Sequence, residues 1–223
     1  MNIKENLDKI KEQIGSNKVK IIAVTKYARL EQVTEAYKLG IKDFGESYVQ
    51  DALKKLSHNF NEESCNSNSI HWHLIGRLQK NKVKYVVGNF SLIHSVDSYE
   101  LAEIINIIAS QKAITQDVLL QVNILGEESK TGFSKGNLTA VLNNLLKLSN
   151  IKIQGLMTIA PKIDDKTIIR ECFLNLNDLK NKINSEYKTE LKELSMGMSN
   201  DYLIAVNCGA TMIRIGKALF NKD

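Results

Sequence analysis

Two stretches of the chain combine residues suited to chemistry. Lys26 ends the apolar run Ile21-Ile22-Ala23-Val24-Thr25. A lysine at the end of a buried strand is partly desolvated, which favours the neutral amine and lets it condense with an aldehyde. The same residue could also be a strand-end lysine reaching into solvent. Near the other end, Arg214-Ile215-Gly216-Lys217 predicts a strand that stops at a glycine and passes into a short helical turn. Glycine allows an anion close to the backbone, and free N–H groups at a helix start favour phosphate. Ser199, placed as the N-cap of a helix at 200–208, offers a hydroxyl and more N–H donors. A barrel-closing strand with a tight turn would use the same residues.

Arg214 shares a strand face with Gly216. An inward arginine beside a cofactor ring needs an acceptor, and an unprotonated pyridine-type nitrogen would serve. Because arginine keeps its protons, it would hold that nitrogen unprotonated and weaken the ring as an electron sink. His71-Trp72-His73 puts two histidines on one face of a strand. With no third ligand nearby, they read as hydrogen-bonded barrel residues and not as a metal site. No G-x-G-x-x-G, G-x-x-x-x-G-K-[ST] or G-x-S-x-G motif occurs, so nucleotide-binding and serine-hydrolase readings lack support.

These residues need a scaffold that gathers strand ends. Short β-branched runs recur at 18–25, 43–45, 70–75, 92–95, 118–123, 152–157, 193–195 and 212–215. Helical periodicity falls at 2–14, 30–39, 46–56, 98–111, 137–148, 168–186 and 200–208. Eight strands alternating with helices predict a single-domain, closed parallel (β/α)8 TIM barrel spanning 1–223, with an extra N-terminal helix at about 2–14. An open doubly wound sheet is the alternative. The polar stretch 59–69 reads as a surface loop. In a barrel, function collects where strands end, which selects Lys26, Glu46, His73, Gly76, Asn123, Met157, Ser199 and 214–217.

Composition fits this frame. The 223 residues are 43% apolar and 25% charged, with a formal net charge of +5. The lysines are scattered, without interleaved aromatics, which argues against nucleic acid. Cys65, Cys172 and Cys208 form no C-x-x-C pair and read as reduced thiols of a cytoplasmic protein. No apolar run reaches the length of a membrane span.

Taken together, the segments resemble the YggS/PROSC family of pyridoxal 5′-phosphate (PLP) homeostasis proteins. The resemblance rests on Ile22-Ala23-Val24-Thr25-Lys26, Phe44-Gly45-Glu46-Ser47-Tyr48-Val49-Gln50 and the run from His71 to Lys82. It continues through Val122-Asn123-Ile124, Ser129-Lys130-Thr131-Gly132, Gly155-Leu156-Met157-Thr158, Leu194-Ser195-Met196-Gly197-Met198-Ser199 and Ile213-Arg214-Ile215-Gly216. It implies a fold-type III PLP barrel, like the N-terminal domain of alanine racemase, holding PLP as a Schiff base on Lys26. Ser199, Gly216 and Lys217 would bind the phosphate, Arg214 would face the ring nitrogen, and Glu46, Ser47, His73 and Met157 would line the pocket. Lys130 would handle PLP transiently.

Three positions depart from the family pattern: Ser47 stands for Asn, Arg77 for Pro and Lys217 for Thr. With the chain ending at Asp223, the second acid/base domain of the racemases is expected to be absent. A PLP carrier or buffer without turnover is therefore expected. It would be a monomer that meets PLP and apo PLP-dependent enzymes, with no nucleic acid, membrane or metal. An amino-acid racemase or a cofactor-free Schiff-base aldolase, with Glu46 as acid, are the alternatives.

Overall fold

The computed structural model describes residues 2–57, 70–127 and 130–220; the predicted loop at 59–69 and Cys65 lie outside them. Eight parallel strands close into one barrel in sequence order: β1 (Lys20–Val24), β2 (Asp43–Glu46), β3 (His71–Leu74), β4 (Leu92–Val96), β5 (Gln116–Gln121), β6 (Ile151–Met157), β7 (Glu193–Met198) and β8 (Met212–Ile215). Closure comes from β1 and β8, which pair from Lys20↔Met212 to Ala23↔Ile215. The open doubly wound sheet is thereby excluded.

Strand side chains alternate between two cores. One set, including Ala23, Phe44, Ile93, Leu120, Leu156, Ile213 and Ile215, is buried beneath the helices. The other set points into the barrel, where Ile22, Leu92, Leu119, Met157 and Met212 form their own apolar cluster. Polar residues share that interior: His73, His94, Ser195 and Arg214 are all buried.

Around the barrel run α1 (Ile3–Ile14), α2 (Leu30–Lys38), α3 (Val49–Leu56), α4 (Val83–Val86), α5 (Tyr99–Gln111), α6 (Lys135–Leu146), α7 (Lys166–Tyr187), α8 (Tyr202–Asn207) and α9 (Lys217–Phe220). Helix α1 precedes the barrel. It starts at a capping box between Asn2 and Glu5 and buries Ile3, Leu7, Ile10 and Ile14 on one face. Asn6 Nδ2 donates to the carbonyl of Leu219 at 3.0 Å, tying α1 to the last helix.

Two local expectations are corrected. Ser199 does not cap a helix at 200–208; α8 begins only at Tyr202, preceded by Asp201, and Ser199 sits in the turn before it. The reason is that Asp201 Oδ1 accepts from Met198 N–H at 2.5 Å, folding the chain back before the helix can start. The second is the helix expected from 46: Glu46 belongs to β2, and α3 starts at Val49.

Candidate functional site

The C-terminal rim brings the predicted residues together by register. β1 and β2 pair Val24↔Gly45, β7 and β8 pair Met198↔Arg214, and β6 and β7 pair Met157↔Ser195. Lys26, Glu46, Ser199 and Gly216 therefore fall just at or beyond the ends of four consecutive strands, β7-β8-β1-β2. A Cβ placed on Gly216 would lie 3.5 Å from the carbonyl oxygen of Val24, so the turn after β8 packs against the strand that leads into Lys26. Ser199 Oγ accepts from Ala218 N–H at 3.2 Å and pins the first turn of α9 beside Gly216 and the exposed Lys217.

Lys26 itself is exposed, in contrast to the partly desolvated amine expected from its position. The last residue of β1 is Val24, and the chain turns at Lys26–Tyr27, so the side chain leaves the wall of the barrel; Nζ lies 4.9 Å above the Tyr27 ring. A cavity of about 500 Å³ opens there, lined on one side by Lys26, Tyr27 and Arg29 and on the other by Asp51, Lys54 and Lys55 of α3.

Behind Lys26 stands a buried polar cluster that the sequence does not announce. Glu46 is fully buried at the end of β2 and accepts from Thr25 Oγ1 at 2.6 Å and from Ser47 N–H at 3.3 Å. Lys55 reaches in from α3, pairs with Glu46 Oε1 and donates to the carbonyl of Thr25 at 2.5 Å. A buried carboxylate needs such partners. The cluster fixes the residue immediately before Lys26. Gly76, at the end of β3, closes the same corner: a Cβ there would fall 2.1 Å from the Ser47 carbonyl oxygen, so only glycine fits.

Arg214 lies inside the barrel, with NH1 donating to Ser195 Oγ at 2.8 Å and NH2 to the Thr158 carbonyl at 2.9 Å. Burial lowers its guanidinium to about 10, with Asp201 opposing, so it is a cation at neutral pH. Beyond Ser195 the contacts continue across the interior. His94 Nδ1 is 2.8 Å from Ser195 Oγ, His94 Nε2 is 2.9 Å from His73 Nδ1, and His73 Nε2 is 3.0 Å from Asp43 Oδ1. His71 and Lys20 also approach Asp43 Oδ1, at 3.3 and 3.6 Å.

Burial pushes His94 well below the usual imidazole range, helped by the charges of His73, Arg214 and Lys20. Burial also lowers His73, against the pull of Asp43. At Asp43, burial acts upward, but the hydrogen bond to His73 and the nearby bases outweigh it and hold the carboxyl below its ordinary value. His73 is thus part of the barrel interior, joined to the strand starts, while Met157 is fully buried in the apolar interior cluster.

The loop after β5 is built around Asn123, whose Nδ2 donates to the carbonyls of Glu127 and Lys130 and whose Oδ1 accepts from Gly126 and Glu127 N–H. Lys130 pairs with Glu127 Oε1 at 2.6 Å and donates to the Ile159 carbonyl at 3.3 Å, beside a second cavity of about 210 Å³. Sequence reasoning did not single out Lys55, Asp43, Thr158, His94 or Ser195. The alternation Leu92-Ile93-His94 carries a signal for the inward histidine; Lys55 carries none, because its role depends on how α3 packs.

The sequence profile of the family described as alanine racemase, N-terminal domain, matches residues 1–222. Fold and site therefore define a barrel of the alanine racemase N-terminal type. The pyridoxal phosphate homeostasis protein of Aquifex aeolicus is 40% identical over 231 residues, covering 100% of this chain and 99% of that protein. Its counterpart in Synechocystis sp. is 43% identical, covering 91% and 90%. PipY of Synechococcus elongatus, solved with PLP bound, matches with a TM-score of 0.90 at 35% identity, over 99% of this chain and 100% of that one. The chain belongs to the pyridoxal phosphate homeostasis family.

Proposed function

We propose that this protein binds PLP covalently through Lys26 and serves PLP homeostasis in the cytoplasm as a carrier without turnover. The observation that carries the reading is the convergence of an amine, a glycine turn and a buried arginine at adjoining strand ends. Lys26 follows β1, Gly216 follows β8, and Arg214 fills the interior beneath them.

The chemistry of this donor set fits PLP: an accessible primary amine for the aldehyde, N–H groups and a hydroxyl at Gly216, Lys217 and Ser199 for the phosphate, and a cation for the ring nitrogen. When bound, PLP supplies a reactive aldehyde and an electron-withdrawing ring. Lys26 would form the bond to the aldehyde with loss of water and, being exposed, would leave it open to exchange with other amines. Arg214 cannot give up its proton at neutral pH, so it would keep a ring nitrogen facing it unprotonated and the electron sink weak. Glu46 and Lys55 hold the end of β1 in place. These properties support holding and release over demanding carbanion chemistry, and apo PLP-dependent enzymes are the recipients this reading assigns.

The test is borohydride reduction of the PLP-loaded protein followed by peptide mapping. The expected result is fixation on the peptide containing Lys26, lost in Lys26→Ala, with no turnover of amino acids. An adduct spread over surface lysines would overturn the site, and steady racemisation or decarboxylation would overturn the carrier.

A further inference from the structure

The contacts from Arg214 to Asp43 cross the barrel from its C-terminal half to the rim where β1, β2 and β3 begin. With both imidazoles neutral, as their burial favours, the contacts run in one direction. Arginine has only N–H groups to give, so Ser195 Oγ accepts from NH1 and keeps its own hydrogen available to donate to His94 Nδ1. His94 must then carry its proton on Nε2, which donates to His73 Nδ1. His73 in turn carries its proton on Nε2 and donates to Asp43. The carboxylate end fixes this order: Asp43 only accepts, so a neutral His73 carries its proton on Nε2 and its Nδ1 must accept from His94. Both imidazoles are neutral in this arrangement, and every donor in the chain has an acceptor.

We propose that Ser195, His94 and His73 are positioning residues that act through Arg214: a one-way hydrogen-bond relay ties it to Asp43 at the far rim and fixes which of its N–H groups remain for the mouth of the barrel. What Arg214 then meets there rests on the PLP reading; the relay does not. Thr158 contributes the second anchor, its carbonyl taking NH2. An extra proton on His94 would force Ser195 Oγ to accept from both sides and leave its hydroxyl hydrogen without its partner, and burial opposes that charge. The charged groups facing the relay are Arg214, with Asp201 acting on it, at one end and Asp43, Lys20 and His71 at the other.

The first test needs no cofactor. In histidine-labelled, PLP-free protein, nitrogen NMR should show His73 and His94 as neutral Nε2–H tautomers from about pH 6 to 8. An Nδ1–H tautomer or a charged ring at either position would overturn the relay, whatever the protein binds.

The second test measures PLP affinity and the pH profile of the bound-cofactor absorbance in Ser195→Ala, Asp43→Ala and Asp43→Asn. Ser195→Ala should weaken PLP binding about tenfold, the size expected when a hydrogen bond to a charged group is lost. Asp43→Ala should move the pH profile from the opposite end of the barrel. Asp43→Asn keeps an acceptor for His73 and should retain the wild-type profile. Equal displacement by both Asp43 variants would mark a simple loss of charge and sink the relay, as would unchanged profiles in Ser195→Ala and Asp43→Ala. Should Ser195→Ala fail to fold, the half-buried Asp43 carries the comparison. Failure to take up PLP would refute the functional reading and leave the NMR result to decide the relay.

Discussion

Two lysines stand at the phosphate and aldehyde ends of the proposed site, and both are exposed. Exposure means that neither owes its role to desolvation. In the proposed site Lys26 would instead be selected by position, its neighbours holding the strand end where the reacting groups would meet. Lys217 is a matter of charge. Through its backbone it belongs to the glycine turn, and in the proposed site its side chain would add a cation beside the phosphate. Lys217→Ala should weaken PLP binding by about threefold at low ionic strength, with the difference vanishing in high salt. Titration at two salt concentrations checks this, and an affinity and salt slope equal to wild type would remove the side chain from the site. Arg214→Lys is the contrasting case. An ammonium cannot reproduce the fork that reaches Ser195 Oγ and the Thr158 carbonyl together, so PLP affinity should fall by at least about tenfold despite the conserved charge.

At the scale of elements, α3 matters because it clamps two strands. Lys55 joins the carboxylate ending β2 to the carbonyl just beyond β1, with only 13% of its side chain exposed. Lys55→Ala leaves Glu46 buried with the Thr25 hydroxyl and one N–H, and should destabilise the fold by about 3 kcal/mol. Replacing both partners as Glu46→Gln with Lys55→Met should cost less than the sum of the single changes. Urea unfolding of the four proteins closes that cycle, and simple additivity would show that the pair is not coupled. This clamp also marks the limit of what the sequence discloses. Strands such as β1, β5 and β8 were legible as short apolar, β-branched runs, whereas β2, β3 and β7 carry no β-branched residue and were read from their spacing in the alternation with helices. Long amphipathic helices such as α1 and α7 were legible from their period. Helix α4 was not, because a single α-helical turn after a 3-10 turn at Lys80–Lys82 is too short to display one. Strand β5 starts two residues before the expected 118 because backbone pairing of Gln116 with Ile151 extends it through polar residues. Lys26, Ser199, Arg214 and Gly216 could be read from their places at strand ends, whereas Lys55 and the exposure of Lys26 follow only from how the ends turn.

For the molecule as a whole, a polar barrel interior has a consequence for acid stability. His73 and His94 are buried and held below the ordinary imidazole value, chiefly by that burial. In the unfolded chain both take up a proton near pH 6.5. Below that point the unfolded state binds more protons than the folded one, so stability rises with pH through this window and falls as the solution is acidified. Each histidine adds a slope of about 1.4 kcal/mol per pH unit until its own folded value is reached. Asp43, held below the usual carboxylate value, contributes stability that is lost only at lower pH, as pH falls through its folded value. Asp201 works in the other sense: burial raises it, so its cost at neutral pH is relieved as pH falls through its folded value. Unfolding free energies measured from about pH 7.5 down to about 5.5 should therefore fall, with a slope to which both histidines contribute. In His94→Gln, which keeps a polar side chain but cannot take the proton, the slope should be shallower than in the wild type. A flat wild-type profile over this range would mean that the interior histidines exchange with solvent and accept charge in the folded barrel. That outcome is incompatible with a closed, fully paired interior.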